Sequence, residues 1–479
     1  MKAKTWLISW LIIVISVLSI LSALVYKVDP FFHYHMPDTD NYYYEINNQR
    51  SQNDGIIRHF VYDAMITGTS MTENFRTTET DRLFGCNSIK VPFEGGSYKE
   101  INDNIAKALK VNDELKIIIR CMDMMRFFDS YDLMRLDLGK FPTYLYDDNP
   151  FNDVEYLLNR DVVLDRTCPM ILSRYRGESK PGITDFDEYS NWQVSYTFGI
   201  NYVLRGGITF TDTEQTHLSD EEKETIRKNI DLNVTSIADE YPDVDFYYFY
   251  SPYSVVKWNS WKNEGLLYKY LEAEAYITEL IVPHKNIHLF SFNNRTDITT
   301  DLNNYKDDIH YAIWINSLIL KWMSGEQYRI TEENYKDYLK QEYEFYTTFD
   351  YTSIKDQDDY EADYYAAALL NQELTGVEPL NVADEREFTV NLDEGYNYLC
   401  FDGQKVAEQG KLAAYVYDEE GELVEKLEKD SSDLDDEVHQ YVIDLSAVNG
   451  MVTIVLNEED SSLTENYEPD YEFSNICMY

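Results

Sequence analysis

Five short apolar runs, at 63–67, 88–93, 115–120, 245–250 and 287–292, punctuate the chain, each strand-sized and bounded by polar or turn residues. Segments of helical period lie between them. Over 97–110 the apolar positions are Ile101, Ile105, Ala108 and Leu109, and Ser219 with Glu222 forms a capping-box signature ahead of a helix ending near Tyr241. Helical patterns recur at 266–281 and at 311–323, where Ile313, Ile315, Leu318, Ile319 and Trp322 are apolar. Strand and helix alternate, which predicts an α/β fold, a parallel sheet with helices on both faces, over 30–325.

Four stretches depart from this rhythm. Residues 5–26 are 22 consecutive uncharged residues flanked by Lys2, Lys4 and Lys27. At about 1.5 Å per residue they suffice to cross a hydrocarbon core of about 30 Å. This predicts a single-pass anchor over 1–29 in the cell membrane, its basic flank cytoplasmic and the bulk of the chain extracytoplasmic. Cleavage after Ala23, as in a signal peptide, is the alternative. Residues 127–207, with Pro142, Pro150, Pro169 and Pro181, predict an insertion over one end of the sheet, where such elaborations form lids or substrate walls. Residues 326–376 are acidic and Tyr-rich and read as a helical connector. The last segment, 377–479, alternates as strands at 388–392, 412–417, 441–445 and 452–456, with turns at Asp402-Gly403 and Glu420-Gly421, which predicts a jelly-roll-like β-sandwich. Tyr396, Tyr398, Tyr415 and Tyr417 are its candidates for stacking on sugar rings, although Tyr is also an ordinary strand residue.

Charge and composition narrow the function classes. The balance is 41 − 87 = −46, and such a surface repels phosphate backbones and anionic headgroups. Nucleic-acid binding and a purely electrostatic attachment to membranes are therefore excluded. An aromatic content of 15%, with 42 Tyr, marks a folded chain rather than a disordered one. The five cysteines, Cys86, Cys121, Cys168, Cys400 and Cys477, show no CxxC spacing and read as buried thiols. His33, His35 and His59 lack a third ligand at metal spacing, so neither a metal nor a cofactor is expected.

Chemistry is concentrated at two loops. The first strand runs straight into Gly68-Thr69-Ser70 and then a helical pattern. Ligands of open parallel sheets bind beyond the carboxyl ends of the strands, so the Ser70 hydroxyl is expected at the mouth of a crevice. A serine nucleophile needs a base within hydrogen-bond reach and an acid to orient that base. Asp307-Asp308-Ile309-His310 offers both, between the last strand and the last amphipathic helix. Either Asp307 or Asp308 is placed to hold one ring nitrogen of His310 and leave the other for Ser70. A bland reading also exists for each piece: Gly68 for a tight turn, Ser70 as a cap, His310 as a loop histidine.

A strand followed by Gly68-Thr69-Ser70, with Asp307-x-x-His310 before the last helix, resembles the SGNH/GDSL-like hydrolase superfamily over about 58–325. With one amino-terminal anchor, the layout is similar to the extracytoplasmic proteins that acylate cell-envelope polymers, as in alginate O-acetylation and lipoteichoic-acid D-alanylation. The resemblance implies a three-layer flavodoxin-like fold, a triad of Ser70, His310 and Asp307, and oxyanion donors at the nucleophile, at Gly95 or Gly96, and at the place held by Asp123. It further implies an envelope polysaccharide as acceptor and a membrane-bound O-acyltransferase as partner. Thr69 stands where the family has Asp, and Arg120-Cys121-Met122-Asp123 where Gly-x-Asn is usual. The expected activity is that of a serine esterase or O-acyltransferase. The alternative is a catalytically silent surface protein that binds envelope glycan.

Overall fold

The computed structural model describes residues 3–177, 180–357, 368, 372, 375–382, 386–405, 411–430, 438–458 and 471–479. The helix Ala3–Val28 (α1) is long and apolar enough to cross a membrane. Its exposed flank of Leu, Ile and Trp gives way near its end to the buried residues Val25 and Val28.

Six strands form the central sheet: β1 (Ala64–Thr67), β2 (Ser88–Lys90), β3 (Ile117–Cys121), β4 (Asp245–Tyr250), β5 (Ile287–Ser291) and β6 (Arg329–Ile330). They lie in the order β2-β1-β3-β4-β5-β6; the first five are parallel and β6 joins antiparallel. Met65 pairs with Ile89 on one side and Ile118 on the other, and Tyr248 with Leu289. Strands buried on both faces need apolar side chains on both, hence the unbroken Ile117-Ile118-Ile119. The 2-1-3-4-5 order reverses direction between β1 and β3, and the carboxyl edge there is where doubly wound sheets hold ligands.

The helices over the sheet are the expected ones. Ser97 caps Tyr98–Val111 through a full capping box with Glu100, and Ser219 does the same with Glu222 for Asp220–Ile230. That second helix passes through a π-turn at Asp231–Thr235 before ending at Glu240. Leu267–Ile281 and Ile313–Ser324 complete the pattern.

The described part of the acidic stretch after the sheet packs on the core through Tyr346, Tyr351 and Ile354. Its helix Tyr335–Thr348 stacks Tyr346 on Trp258 at 3.9 Å, and the Tyr346 hydroxyl donates to the Asn293 carbonyl at 2.7 Å. Glu342 is buried there against Glu274, and burial pushes both carboxyls up, Glu274 to about 7.

Two four-stranded antiparallel sheets form the carboxyl-terminal part. One holds Glu387–Asn391, Met451–Glu458, Lys411–Tyr417 and Leu423–Asp430, the other Val438–Asp444, Tyr398–Lys405, Tyr471–Met478 and Leu380–Asn381. Phe388, Leu399, Phe401, Leu412, Val416 and Ile454 fill the space between them. Glu420-Gly421 is a turn, with the Gly421 amide donating to Asp418 at 3.0 Å. Asp402-Gly403 is not: both residues lie inside a strand and pair with Gln440 and His439. A Cβ on Gly403 would stand 2.5 Å from Leu412 and 2.9 Å from Tyr441, so glycine is there for close approach between layers. Tyr398 is buried beneath Lys321 at the contact with the α/β core, which removes it from the sugar-stacking candidates. Tyr396, Tyr415 and Tyr417 are half-buried.

Candidate active site

β1 delivers the chain into Gly68, whose φ of +148° and contacts leave no room for a side chain; a Cβ would meet Thr72 at 2.8 Å and Cys121 at 3.0 Å. A 3-10 turn, Ser70–Thr72, follows at once and sets Ser70 at the carboxyl edge of β1. Opposite lies the loop before Ile313–Ser324. Its base is closed by a bridge between Tyr305 and Tyr311 and by the Lys306 amide donating to the His310 carbonyl at 3.1 Å. The two tyrosine hydroxyls pin it further: Tyr305 donates to Pro252 O at 2.6 Å and Tyr311 to Met71 O at 3.4 Å.

This loop brings His310 Nε2 to 2.8 Å from Ser70 Oγ, across 240 residues of sequence. The other ring nitrogen, Nδ1, faces the Asp307 carboxylate at 2.8 and 3.0 Å. An ionised carboxylate only accepts, so Nδ1 carries the proton and Nε2 presents its lone pair to the serine hydroxyl. Asp307 Oδ1 also accepts the amides of Ile309 (3.0 Å) and His310 (2.8 Å). Burial pushes the Asp307 carboxyl up, but its bonds and charge interaction with His310 and the two amides outweigh this and hold it below the usual carboxylate range. Asp308 turns away to Lys257 at 3.3 Å, and its carbonyl accepts from Ser254 Oγ at 2.8 Å.

The remaining sequence candidates separate. Gly95 lines the same cleft as Ser70 and His310, and neither its amide nor that of Ser70 donates to an acceptor among the described residues. Gly96 is different, because its amide closes a turn onto Phe93 O at 2.7 Å. Asp123 does not reach the cleft as a donor. It is buried behind Ser70 and accepts from Thr69 Oγ1 (2.7 Å), Tyr253 OH (2.5 Å) and the Met125 amide (2.9 Å). The two departures at Thr69 and Asp123 thus meet as one hydrogen bond. Ser251, Tyr253 and Ser254 are buried in the same region: Ser251 meets the Tyr311 hydroxyl at 3.3 Å, Tyr253 donates to Asp123 and Ser254 to the Asp308 carbonyl.

The cleft has a volume of ≈ 720 Å³. Its wall includes residues that no motif announces. Ser190, Trp192 and Tyr196 come from the insertion, Gln49 and Arg50 from the helix Gln49–His59. The Lys306 ammonium sits 3.8 Å from the centre of the Trp192 ring and 3.6 Å from that of Tyr196, and Trp192 meets His310 edge-on at 5.6 Å. Glu73 lies in the wall three residues after Ser70. Burial pushes its carboxyl up to about 7 although Gln49 donates to it. Below it Lys90 is fully buried, its ammonium donating to Glu73 O (2.6 Å) and Phe75 O (2.9 Å), which fixes the chain just after the serine.

No family model and no curated protein matches this sequence. Among solved structures, a protein from Streptococcus pneumonia described as a platelet activating factor aligns at 11% identity over 60% of this chain and 90% of its own, with a TM-score of 0.27. A two-domain esterase active on acetylated mannans, co-crystallized with mannopentaose, aligns at 10% identity over 87% and 89%, with a TM-score of 0.21. The capsular polysaccharide assembling protein CapF from Staphylococcus aureus aligns at 12% identity over 85% and 98%, with a TM-score of 0.14. Scores this low establish neither fold nor activity, and the chemistry rests on the geometry alone.

Proposed function

We propose that the protein is a membrane-anchored, extracytoplasmic serine esterase or O-acyltransferase that handles acyl groups, O-acetyl above all, of a cell-envelope polysaccharide. The observation that carries this reading is the unbroken hydrogen-bonded line from Ser70 through His310 to Asp307 at the carboxyl edge of a parallel sheet. Ser70 Oγ attacks the acyl carbonyl while His310 Nε2 takes its proton, and Asp307 stabilises the imidazolium that forms. The amides of Ser70 and Gly95 are the donors for the developing oxyanion. Collapse expels the first alcohol, protonated by His310, and leaves an acyl-serine. A sugar hydroxyl or water then attacks that ester, giving up its proton to His310, and Ser70 is released.

The anchor helix supports a site of action outside the cytoplasm, with the acyl donor supplied across the membrane by a membrane-bound O-acyltransferase. Asp123 in the place of a third oxyanion donor favours slow chemistry, since one such donor is worth about 10²–10³ in rate.

The test is intact-mass spectrometry of the full chain in detergent after exposure to an activated acetyl ester or a serine-directed fluorophosphonate, beside Ser70→Ala and His310→Ala. One adduct on Ser70, lost in both variants, is the expected result. No adduct with either reagent would overturn the enzymatic reading in favour of a glycan-binding cleft walled by Trp192 and Tyr196.

A further inference from the structure

α1 does not end in a loose tether. Asp29 closes it with φ +48° and a bond from its amide to Val25 O (2.7 Å), and its buried carboxylate gathers the amides of His33 (3.0 Å), Tyr34 (2.7 Å) and His35 (3.0 Å) together with the Tyr156 hydroxyl (2.7 Å). Tyr34 OH in turn donates to Asp153 at 2.9 Å. Leu21, Val25 and Phe31 form one apolar cluster with Tyr156, Leu157 and Val163 of the insertion, and α1 contacts both the helix Val154–Leu157 and the π-turn Val162–Thr167.

The length of the helix fixes how deep those contacts lie. A hydrocarbon core of about 30 Å takes about 20 residues of helix. Counted from Thr5, the first uncharged residue after Lys4, it ends near Leu24. Leu21 therefore lies inside the acyl layer and Val25 at its edge, and whatever grips them lies there too. These elements and the turn just before them also expose large apolar side chains: Phe151 in the turn is 89% exposed, Val154 52% and Leu164 53%. Val154 shares the helical face of Leu157, one turn away. Segment 151–177 carries Arg160, Arg166, Arg174 and Arg176 against Asp153, Glu155, Asp161 and Asp165, 4 − 4 = 0 in a chain of −46, so this surface escapes most of the repulsion that the rest would meet at anionic headgroups.

We infer that the insertion is a membrane seat: Phe151, Val154 and Leu164 dip into the outer leaflet around the mouth of α1 and hold the α/β domain at a set height on the phospholipid bilayer. The inference rests on reading α1 as a transmembrane anchor and is independent of the serine chemistry.

It is tested on the full chain in nanodiscs of phosphatidylglycerol and phosphatidylcholine in equal parts, spin-labelled singly at Phe151→Cys, Val154→Cys or Leu164→Cys, with unlabelled-site protein as background for the native thiols. Ile13→Cys in the span and Leu423→Cys on the β-sandwich set the lipid and water references. Relaxation by oxygen and by a water-soluble nickel chelate is expected to place Phe151, Val154 and Leu164 with Ile13, protected from nickel and accessible to oxygen. Nickel accessibility equal to that of Leu423 at these sites would overturn the seat. An aqueous Ile13 would overturn it by removing the anchor. Loss of Ser70 labelling in the same samples, with lipid protection intact, would strike the enzymatic reading and leave the seat standing.

Discussion

Asp307 and Asp308 are neighbours of the same chemistry, and the loop gives them opposite work. One accepts His310 Nδ1–H and two amides; the other pairs with Lys257. Asp307→Asn should cut the turnover of any Ser70-dependent reaction by about 10²–10⁴, through the wrong imidazole tautomer, whereas Asp308→Asn should change it only a few-fold. Equal losses in steady-state kinetics would mean that the loop, not the carboxylate, is what matters. Glu73 offers a second test, through pH. A carboxyl whose folded value lies at about 7 instead of 4.5 holds its proton longer in the folded chain. Folding stability therefore falls as pH rises from the unfolded value through about 7, by at most about 1.4 kcal/mol per unit. Glu73→Gln lacks this term, so its melting temperature relative to wild type should climb between about pH 5 and about pH 8. A constant difference would mean that Glu73 is ionised throughout. The serine, the histidine and the tight glycine turn were legible because each is a local signal at a strand end. Which aspartate faces the ring was not, because the pairing of Tyr305 with Tyr311 across the loop and Lys257 from a distant helix decide it. Trp192 and Lys306 left no signal either, since their meeting depends on an insertion more than a hundred residues away.

Among the elements, the buried strands announced themselves through runs of β-branched or aromatic residues, and β1 to β5 fall within a few residues of their apolar stretches. The β-sandwich was harder to read. Leu423–Asp430 runs Leu-Val-Glu-Lys-Leu-Glu-Lys-Asp without strict alternation, and its first four residues are exposed, so its strand signal is weak. Gly403 follows an Asp as turn glycines do, yet its role is to let two layers touch. Gly403→Ala should accordingly destabilise by about 1–3 kcal/mol through overpacking, measured by thermal unfolding, whereas Gly421→Ala meets no neighbour and pays only for its φ of +81°. If Gly403→Ala melted like wild type, the close approach to Leu412 and Tyr441 would be relieved by simple side-chain movement.

On the scale of the molecule, the β-sandwich is fastened to the α/β core. Arg76 meets Asp444 at 3.1 Å, and Arg82 donates to Ser446 O and Asn397 Oδ1, both at 3.0 Å. Burial, then the nearby Asp444 charge, raises the Glu79 carboxyl on the core side. Arg76→Ala would remove one of the cations that balance these acids and leave Lys321 to hold them, and a loss of about 1–3 kcal/mol is expected, read as a lower melting temperature and faster proteolysis between the two parts. Unchanged melting would mean that the apolar contacts of Tyr398 and Cys400 alone secure the junction. None of this joint is visible in sequence, because its partners come from segments that share no pattern. The Asp29 junction at the other end has a consequence for the search for substrate. A protein on a flexible tether of n residues samples a shell whose radius grows as about 5–6 Å × √n. With four donors converging on one buried carboxylate there is no such shell. On the anchored reading proposed above, the cleft travels with its helix as a carriage on a rail, scanning in two dimensions at one altitude, and a glycan substrate beyond that altitude would have to come down to be reached.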